Sequence, residues 1–477
     1  MNISSDPDYL AAEIDIPRPS LAREKLLEEV RRKLETGQKG LNLVIIGHVD
    51  AGKSTLMGRL LYELGELDEK ARRDNERGSE RAGKASFKWA WALDESAEER
   101  ERGVTMDIAT THIRTPSLLI TLLDAPGHAD FVPNMISGAS QADAALLVVD
   151  ASPNSFEAGF ERAGQTREHL VLVRALGVSQ LVIAVNKIDL AIDAESRYNE
   201  IVSTLSPFLV QSGFQLPRVA FVPLSGIEGI NLIDKSSALP WYDGPTLLSA
   251  LDALKPPARP YTLPLRLPLS NVFRGQTAMA SGIGVSGRIA SGVVQVGDRL
   301  RILPGDESAV VRLIEQDDDS APWAAAGSTV TLYLAGVDQI HLDIGSVLCP
   351  PDAPVPLALA FTAQIIVFDL QLPLTQGASV ELFHHSRDVP VTLSKLLATL
   401  DRATNAVVKR DPRVLTKGQS ARVQITLRTG TISGPGERVA PVPLETFTVN
   451  KDMGRILLRR GGETVAAGIV TELLTLA

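Results

Sequence analysis

At 477 residues, with 44% apolar and 22% charged side chains, the chain has globular rather than disordered composition and exceeds a single compact core. A net charge of −9 argues against wholesale coating of nucleic acid. The lone Cys349 excludes an internal disulfide or thiolate cluster and fits a reducing compartment, and the seven histidines show no spaced pair marking structural zinc.

In chain order, residues 1–40 read as an N-terminal extension whose opening MNISSDPDY lacks a basic segment followed by an apolar one. With apolar runs such as AALLVV too short for a bilayer, this predicts a soluble, cytoplasmic protein with no membrane partner. SLAREKLLEEVRRKLE then sets Leu26, Leu27, Val30 and Leu34 along one face of a helix that Ser20 can cap, a solvated helix docked by a thin stripe. Over 41–255 the β-rich runs LNLVIIG, LLITLLD, AALLVVD, LVIAVNK and VAFVPLS alternate with helical stretches, as in a parallel sheet buried on both faces. The prolines of KPPARP interrupt regular structure. Beyond them, short β-rich runs with turn residues predict two antiparallel β domains, 256–352 and 353–477, separated near CPPDAPVP and closed as barrels so that no edge is left open.

GHVDAGKST, following one apolar run and preceding a helical pattern, has the context of a phosphate loop. Gly47, His48, Val49, Asp50, Ala51, Gly52, Lys53, Ser54 and Thr55 would cradle phosphates through successive backbone N–H groups, with Lys53 on the β and γ phosphates and the Ser54 hydroxyl on Mg²⁺. Asp124, ending LLITLLD, would hold Mg²⁺ through water, and the Gly127 N–H would approach the γ phosphate. In NKID, Asp189 can accept paired hydrogen bonds from guanine N1–H and N2–H₂, which adenine cannot donate together. Lys187 can cover the ring with its aliphatic stem, Asn186 can tie this loop to the phosphate loop, and backbone N–H groups of Ser225 and Gly226 would meet guanine O6. Thr105, in a long charged stretch, could complete the Mg²⁺ shell and order that segment with GTP. His128 stands where a side chain can orient the attacking water. The cofactors expected are therefore GTP or GDP and Mg²⁺, on an α/β P-loop GTPase domain followed by two antiparallel β-barrel domains.

The assembled blocks GHVDAGKST, GKASFKWAWALDESAEERERGVTMDI, DAPGHADFVPNMISGASQAD, FEAGFERAGQTREH and NKIDL resemble the translational GTPases of the elongation factor 1-alpha branch, from Leu41 to the C-terminus. Several local choices, among them VVDASPNSFEAGFERAGQTREHLVLVRALGV and RRGGETVAAGIV, are similar to its Hbs-type ribosome-rescue members, partners of Pelota (Dom) proteins. SPNSFEAGF departs from a more usual glycine-containing loop. The resemblance implies a GTPase slow alone and stimulated by the ribosome. It also implies His128 as the water-positioning residue, with Val49 and Val104 flanking it as a hydrophobic gate. It further implies delivery of a release-factor-like protein to stalled ribosomes, through contacts with ribosomal RNA and proteins, by a chain monomeric when free. Other readings stay open: a superkiller-type adaptor recruiting RNA-decay factors through its N-terminal region, a carrier of aminoacyl-tRNA or of a termination factor, or a sulfate-activating GTPase subunit.

Overall fold

The computed structural model describes residues 17–66, 109–125, 132–160, 165–275, 282–316, 319–368, 370, 372–401, 404–428 and 440–476. They form two compact units, one joining the chain up to Arg31 with Pro260–Val355, the other joining Arg32–Arg259 with Pro356–Ala477.

In the first unit, seven strands lie in the order Leu267–Pro268, Val347–Cys349, Arg299–Leu303, Glu307–Gln316, Thr329–Ala335, Ile283–Arg288 and Asn271–Arg274. The short segment from Leu267 to Arg274 pairs with one end of that path and then with the other, so a single stretch of chain closes the sheet on itself. The core inside is aliphatic, including Leu267, Val285, Ile302, Val311 and Leu332. Helix α1, Arg23–Thr36, buries Leu26 and Val30 against Val293 and Ala325 of this unit. Leu34 is exposed and the helix begins three residues after Ser20, so neither the full predicted stripe nor the predicted cap is formed. At the start of the helix the reason is a long-range contact: Gln295 exchanges two hydrogen bonds with the Leu21 backbone (3.2 and 2.9 Å), holding the approach to α1 against the barrel. Trp323 Nε1 donates to Glu29 at 3.2 Å, which pins the helix from its polar side.

The second unit contains the α/β domain. Strands β1 (Lys39–Gly47), β2 (Ala109–Arg114), β3 (Leu118–Asp124), β4 (Ala144–Asp150), β5 (Gln180–Asn186) and β6 (Val219–Pro223) lie in the order β2-β3-β1-β4-β5-β6. All neighbours are parallel except β2 and β3. Helices α2 (Lys53–Glu63), α3 (Val132–Ser140), α4 (Ser155–Phe160), α5 (Gln165–Ala175), α6 (Ala194–Gln211) and α7 (Leu247–Asp252) accompany the sheet. Two apolar clusters flank it, one around Leu43, Leu56 and Val182, the other around Val44, Met135, Leu170 and Ile201. That two-sided burial explains why β1, β3, β4 and β5 are apolar at nearly every position rather than alternately. The linker after α7 is held to this domain by Arg259, which donates to both Asp143 carboxylate oxygens at 2.8 and 2.7 Å.

The remaining residues of this unit build a closed ring: Ser379–His384, Arg455–Arg460, Glu463–Leu476, Leu357–Val367, Ser420–Leu427, Arg387–Leu400 and back to Ser379–His384. Its own core is aliphatic around Phe361, but Phe383, Leu457 and Ala467 belong to the same apolar cluster as α3, α5 and α6. Polar contacts frame that junction: Ser137 Oγ lies 2.6 Å from Ser386 Oγ, and Arg459 lies 3.5 Å from Glu168 of α5. This barrel therefore keeps its own core and also shares one apolar cluster with the α/β domain. Among the described residues, no helix is long and apolar enough to cross a membrane.

Truncating Leu457, fully buried in the shared cluster, to alanine will destabilise the chain by about 2–5 kcal/mol. Hydrogen exchange will show lost protection in α5 as well as in Arg455–Arg460; loss confined to the barrel strands would contradict a shared cluster.

Candidate guanine-nucleotide site

The parallel register brings the carboxyl ends of β1, β3, β4 and β5 to one edge, pairing Ile45 with Asp124 and Asp150 with Asn186. Loops leaving such an edge converge on one crevice. The loop after β1 curls through Gly47, where an added Cβ would sit 2.3 Å from the Val148 carbonyl oxygen. At Gly52, φ is +88° and a Cβ would meet Asn186 Nδ2 at 2.6 Å. Gly47 is thus required by its close approach to the neighbouring strand's backbone, and Gly52 by its positive φ and by the Asn186 side chain packed against it. Helix α2 starts at Lys53, so the loop ends on a helix N-terminus, where unpaired N–H groups favour an anion.

Lys53 is buried, and its ammonium donates to the carbonyls of Gly47 and His48, both at 3.1 Å. Burial lowers its pKa, while the charges of Asp124 and Asp50 act in the opposite sense. Ser54 Oγ donates to Asp124 Oδ2 at 3.2 Å, bringing together the hydroxyl and carboxylate predicted to face a metal. Both are hard oxygen donors, and Mg²⁺ takes few protein ligands because it keeps waters and substrate phosphates, so the pair fits that ion. Thr55 follows on α2, partly buried. Thr105, Val104, Gly127 and His128 lie outside the described residues.

The segment expected to read the base also reaches the phosphate loop. Asn186 Nδ2 donates to the Ala51 carbonyl at 2.9 Å, and its Oδ1 accepts the Gly226 N–H at 2.9 Å. Lys187, at φ 59°, donates to the Asp50 carbonyl at 2.7 Å and to Asp150 Oδ2 at 2.6 Å. Asp189 is exposed in the tight turn Ile188–Leu190. Ser225 and Gly226 differ from expectation. Their N–H groups donate to the Ile230 carbonyl (3.2 Å) and to Asn186 rather than standing open toward a base. Ser225 is 1% exposed, and a buried loop satisfies its own amides first.

Sequence reasoning missed a second layer beneath the phosphate loop. Gln165 Oε1 accepts the Val49 N–H at 3.4 Å, and a Cβ on Gly159 would lie 3.3 Å from both His48 Cβ and Thr166 Oγ1. His169 is 1% exposed, with no hydrogen-bond partner on either ring nitrogen among the described residues. Burial, reinforced by the charges of Lys53 and His48, pushes its pKa down to about 3. SPNSFEAGF forms the turn into α4, where Phe156 and Phe160 stack at 5.4 Å and the Arg167 guanidinium lies 4.3 Å from the Phe160 ring. Arg197 of α6 donates to both Glu157 carboxylate oxygens, at 2.7 and 3.0 Å. The block FEAGFERAGQTREH carried these residues, but no periodicity or motif rule assigns them a task.

Residues 38–257 match the family described as Elongation factor Tu GTP binding domain, and residues 360–471 match the GTP-eEF1A C-terminal domain-like family. Elongation factor 1-alpha of Aeropyrum pernix is 41% identical, over 91% of this chain and 96% of that protein. Protein HBS1 of Drosophila melanogaster is 40% identical, over 98% of this chain and 69% of that protein. The chain belongs to the elongation factor 1-alpha branch of translational GTPases. It binds guanine nucleotides and hydrolyses GTP, and among the branch it is of the Hbs type. The two identities are alike, and the wider span of the HBS1 match separates them. The GTPase-like domain of S. cerevisiae Ski7, solved with GDP and inorganic phosphate, shares the fold at TM-score 0.75 and 20% identity, covering 93% of this chain and 99% of that one.

The depressed pKa of His169 has a pH signature. Between its ordinary 6.5 and about 3 the unfolded chain binds a proton that the folded chain refuses. Its contribution to stability is therefore complete above pH 6.5 and falls as pH drops toward 3. His169→Leu will flatten the acid limb of denaturant-unfolding stability by up to about 1.4 kcal/mol per pH unit. Parallel limbs in the two proteins would show that His169 protonates freely.

Proposed function

We propose that this GTPase delivers a release-factor-like, Pelota-type protein to the empty A site of stalled ribosomes in the cytoplasm, for ribosome rescue and surveillance of no-go and non-stop mRNA. The observation carrying this reading is the HBS1 match across 98% of the chain. The free chain is a monomer in this reading, and its N-terminal region is the surface available to RNA-decay factors. A second reading, delivery of aminoacyl-tRNA, is favoured by the 41% identity to an elongation factor 1-alpha along 96% of its length.

The chemistry is phosphoryl transfer to water, in which positioning and charge stabilisation do most of the work. The helix N-terminus and loop amides from Gly47 to Thr55 bind the phosphates, and the Lys53 ammonium stabilises charge developing on the β–γ bridge. Ser54, Asp124 and Thr105 would hold Mg²⁺, which when bound neutralises phosphate charge. The Gly127 N–H fixes the γ phosphate. His128 orients the attacking water, and Val49 and Val104 exclude bulk solvent until the ribosome brings the imidazole into place. Asn186 and Lys187 position the base, and Asp189 selects guanine by accepting its two adjacent N–H donors. Ser225 and Gly226 shape that loop, and the Gly226 amide reaches guanine O6 only by leaving Asn186.

Single-turnover GTP hydrolysis will be stimulated by ribosomes carrying an empty A site together with a Pelota-type protein. His128→Ala will cut that rate by roughly 10²-fold or more while retaining GTP binding. Stimulation by aminoacyl-tRNA in place of the Pelota-type protein would make the second reading correct. Asp189→Asn, whose amide can donate where guanine also donates, will lose guanine nucleotides and gain xanthine nucleotides in competition binding. Unchanged guanine preference would remove Asp189 from base recognition.

A further inference from the structure

Asp150 is the last residue of β4 and faces Asn186 across the parallel ladder, one residue before Lys187. Its two carboxylate oxygens have separate duties. Oδ1 accepts the Ser152 N–H at 2.8 Å and shapes the turn toward α4, whereas Oδ2 accepts the Lys187 ammonium at 2.6 Å. The same ammonium donates to the Asp50 carbonyl at 2.7 Å. Three loops thus meet at one nitrogen: the phosphate loop, the end of β4 and the base-reading turn.

Two of those loops are held in uncommon backbone conformations. Asp50 has φ 61° and Lys187 has φ 59°, values sparsely populated by residues other than glycine. Such conformations persist where surrounding contacts over-determine them, and here the charge-assisted bonds of one lysine join both. The side chains are 25% and 12% exposed, so the pair is shielded without being dry. An unheld lysine samples many rotamers, and packing its stem against a planar base would freeze that freedom at the moment of binding. Fixing the stem beforehand lowers this cost, which is the general advantage of preorganisation.

We propose that Asp150 is a positioning residue for guanine-nucleotide binding: by holding the Lys187 ammonium it fixes the Lys187 stem as a wall of the base pocket and locks that wall to the phosphate loop. The proposal rests on the reading of Asn186–Asp189 as the base-recognition segment. Because the contact lies on the base side, it acts on GDP and GTP alike and on the ground state and transition state alike, so its loss raises KM rather than lowering kcat.

The test uses the full chain and fluorescent GDP and GTP analogues. Asp150→Asn keeps an acceptor for Ser152 but loses the charge. It is expected to speed release of both nucleotides by about tenfold and to raise KM for GTP, with kcat at saturation moving less than twofold. Lys187→Met, which retains an apolar stem without the ammonium, is expected to release both nucleotides at least as fast, since it also loses the bond to the Asp50 carbonyl. In the double variant the effects will not multiply, since without the Lys187 ammonium the Asp150–Lys187 contact that Asp150→Asn weakens is already gone. Asp150→Glu will restore part of the slow release. Wild-type release from Asp150→Asn, or multiplied effects in the double variant, would overturn the proposal. Asp189→Asn is run alongside: if it loses guanine while Asp150→Asn releases GDP normally, base reading stands and the role of Asp150 falls. If Asp189→Asn keeps guanine preference, the base-reading assignment fails and the proposal falls with it.

Discussion

The parallel register of four strands is the constraint on which the site depends. Side chains on parallel strands have no freedom to choose which end of the sheet their loops leave from, so β1, β3, β4 and β5 deliver their C-terminal residues to the same edge. Gly47 lies so close to the β4 backbone that any Cβ would overlap the Val148 carbonyl. The phosphate loop is therefore positioned by the sheet itself, before any ligand contact is made. Its Lys53 then bonds back to two carbonyls of the loop, which keeps a buried ammonium hydrogen-bonded within the protein.

From that edge the site is assembled by cross-loop contacts over long sequence separations. Asn186 acts twice, donating to the phosphate loop and accepting from the loop of Gly226, so one amide side chain sets the spacing of three segments. Lys187 repeats the arrangement with Asp50 and Asp150. Because Asn186, Lys187 and Asp150 are partly or wholly buried, removing one of them leaves another polar atom short of a partner, and the cost is greater than that of the missing bond alone. A site built in this way is stiff at its base end.

The sequence made the phosphate and base motifs legible because their chemistry is local: a glycine-bordered loop before a helix, a carboxylate ending a strand, an Asn-Lys-x-Asp run after another. The strands were legible for a related reason, since burial on both faces leaves nearly unbroken apolar runs. The support beneath the loop was not. Gln165 meets Val49 across more than a hundred residues, and His169 is unremarkable in sequence because its low pKa comes from burial beside Lys53 and His48. The Ser225 and Gly226 amides were placed by analogy of position, whereas their actual partners follow from how the loop folds on itself. The start of α1 was misplaced for a similar reason, because Gln295, far along the chain, holds Leu21 in a non-helical approach. Local rules fail where a distant residue supplies the decisive hydrogen bond.

Helix α5 brings these threads together. At its N-terminal end Gln165 holds a phosphate-loop amide and Thr166 and His169 lie beneath that loop, while Glu168 meets Arg459 and Thr464 of the C-terminal barrel. Its apolar face, with Leu170 and Val173, belongs to the cluster that takes in Phe383 and Leu457 from the barrel. Close-packed cores deform little, so the helix cannot slide along the barrel without opening cavities in that cluster. The barrel thereby fixes the helix, the helix fixes the floor of the phosphate loop, and the loop's glycines fix its distance from the sheet. In this GTPase the C-terminal barrel thus supports the floor of the phosphate loop through α5, while α3 meets the same barrel at Ser137 and Ser386.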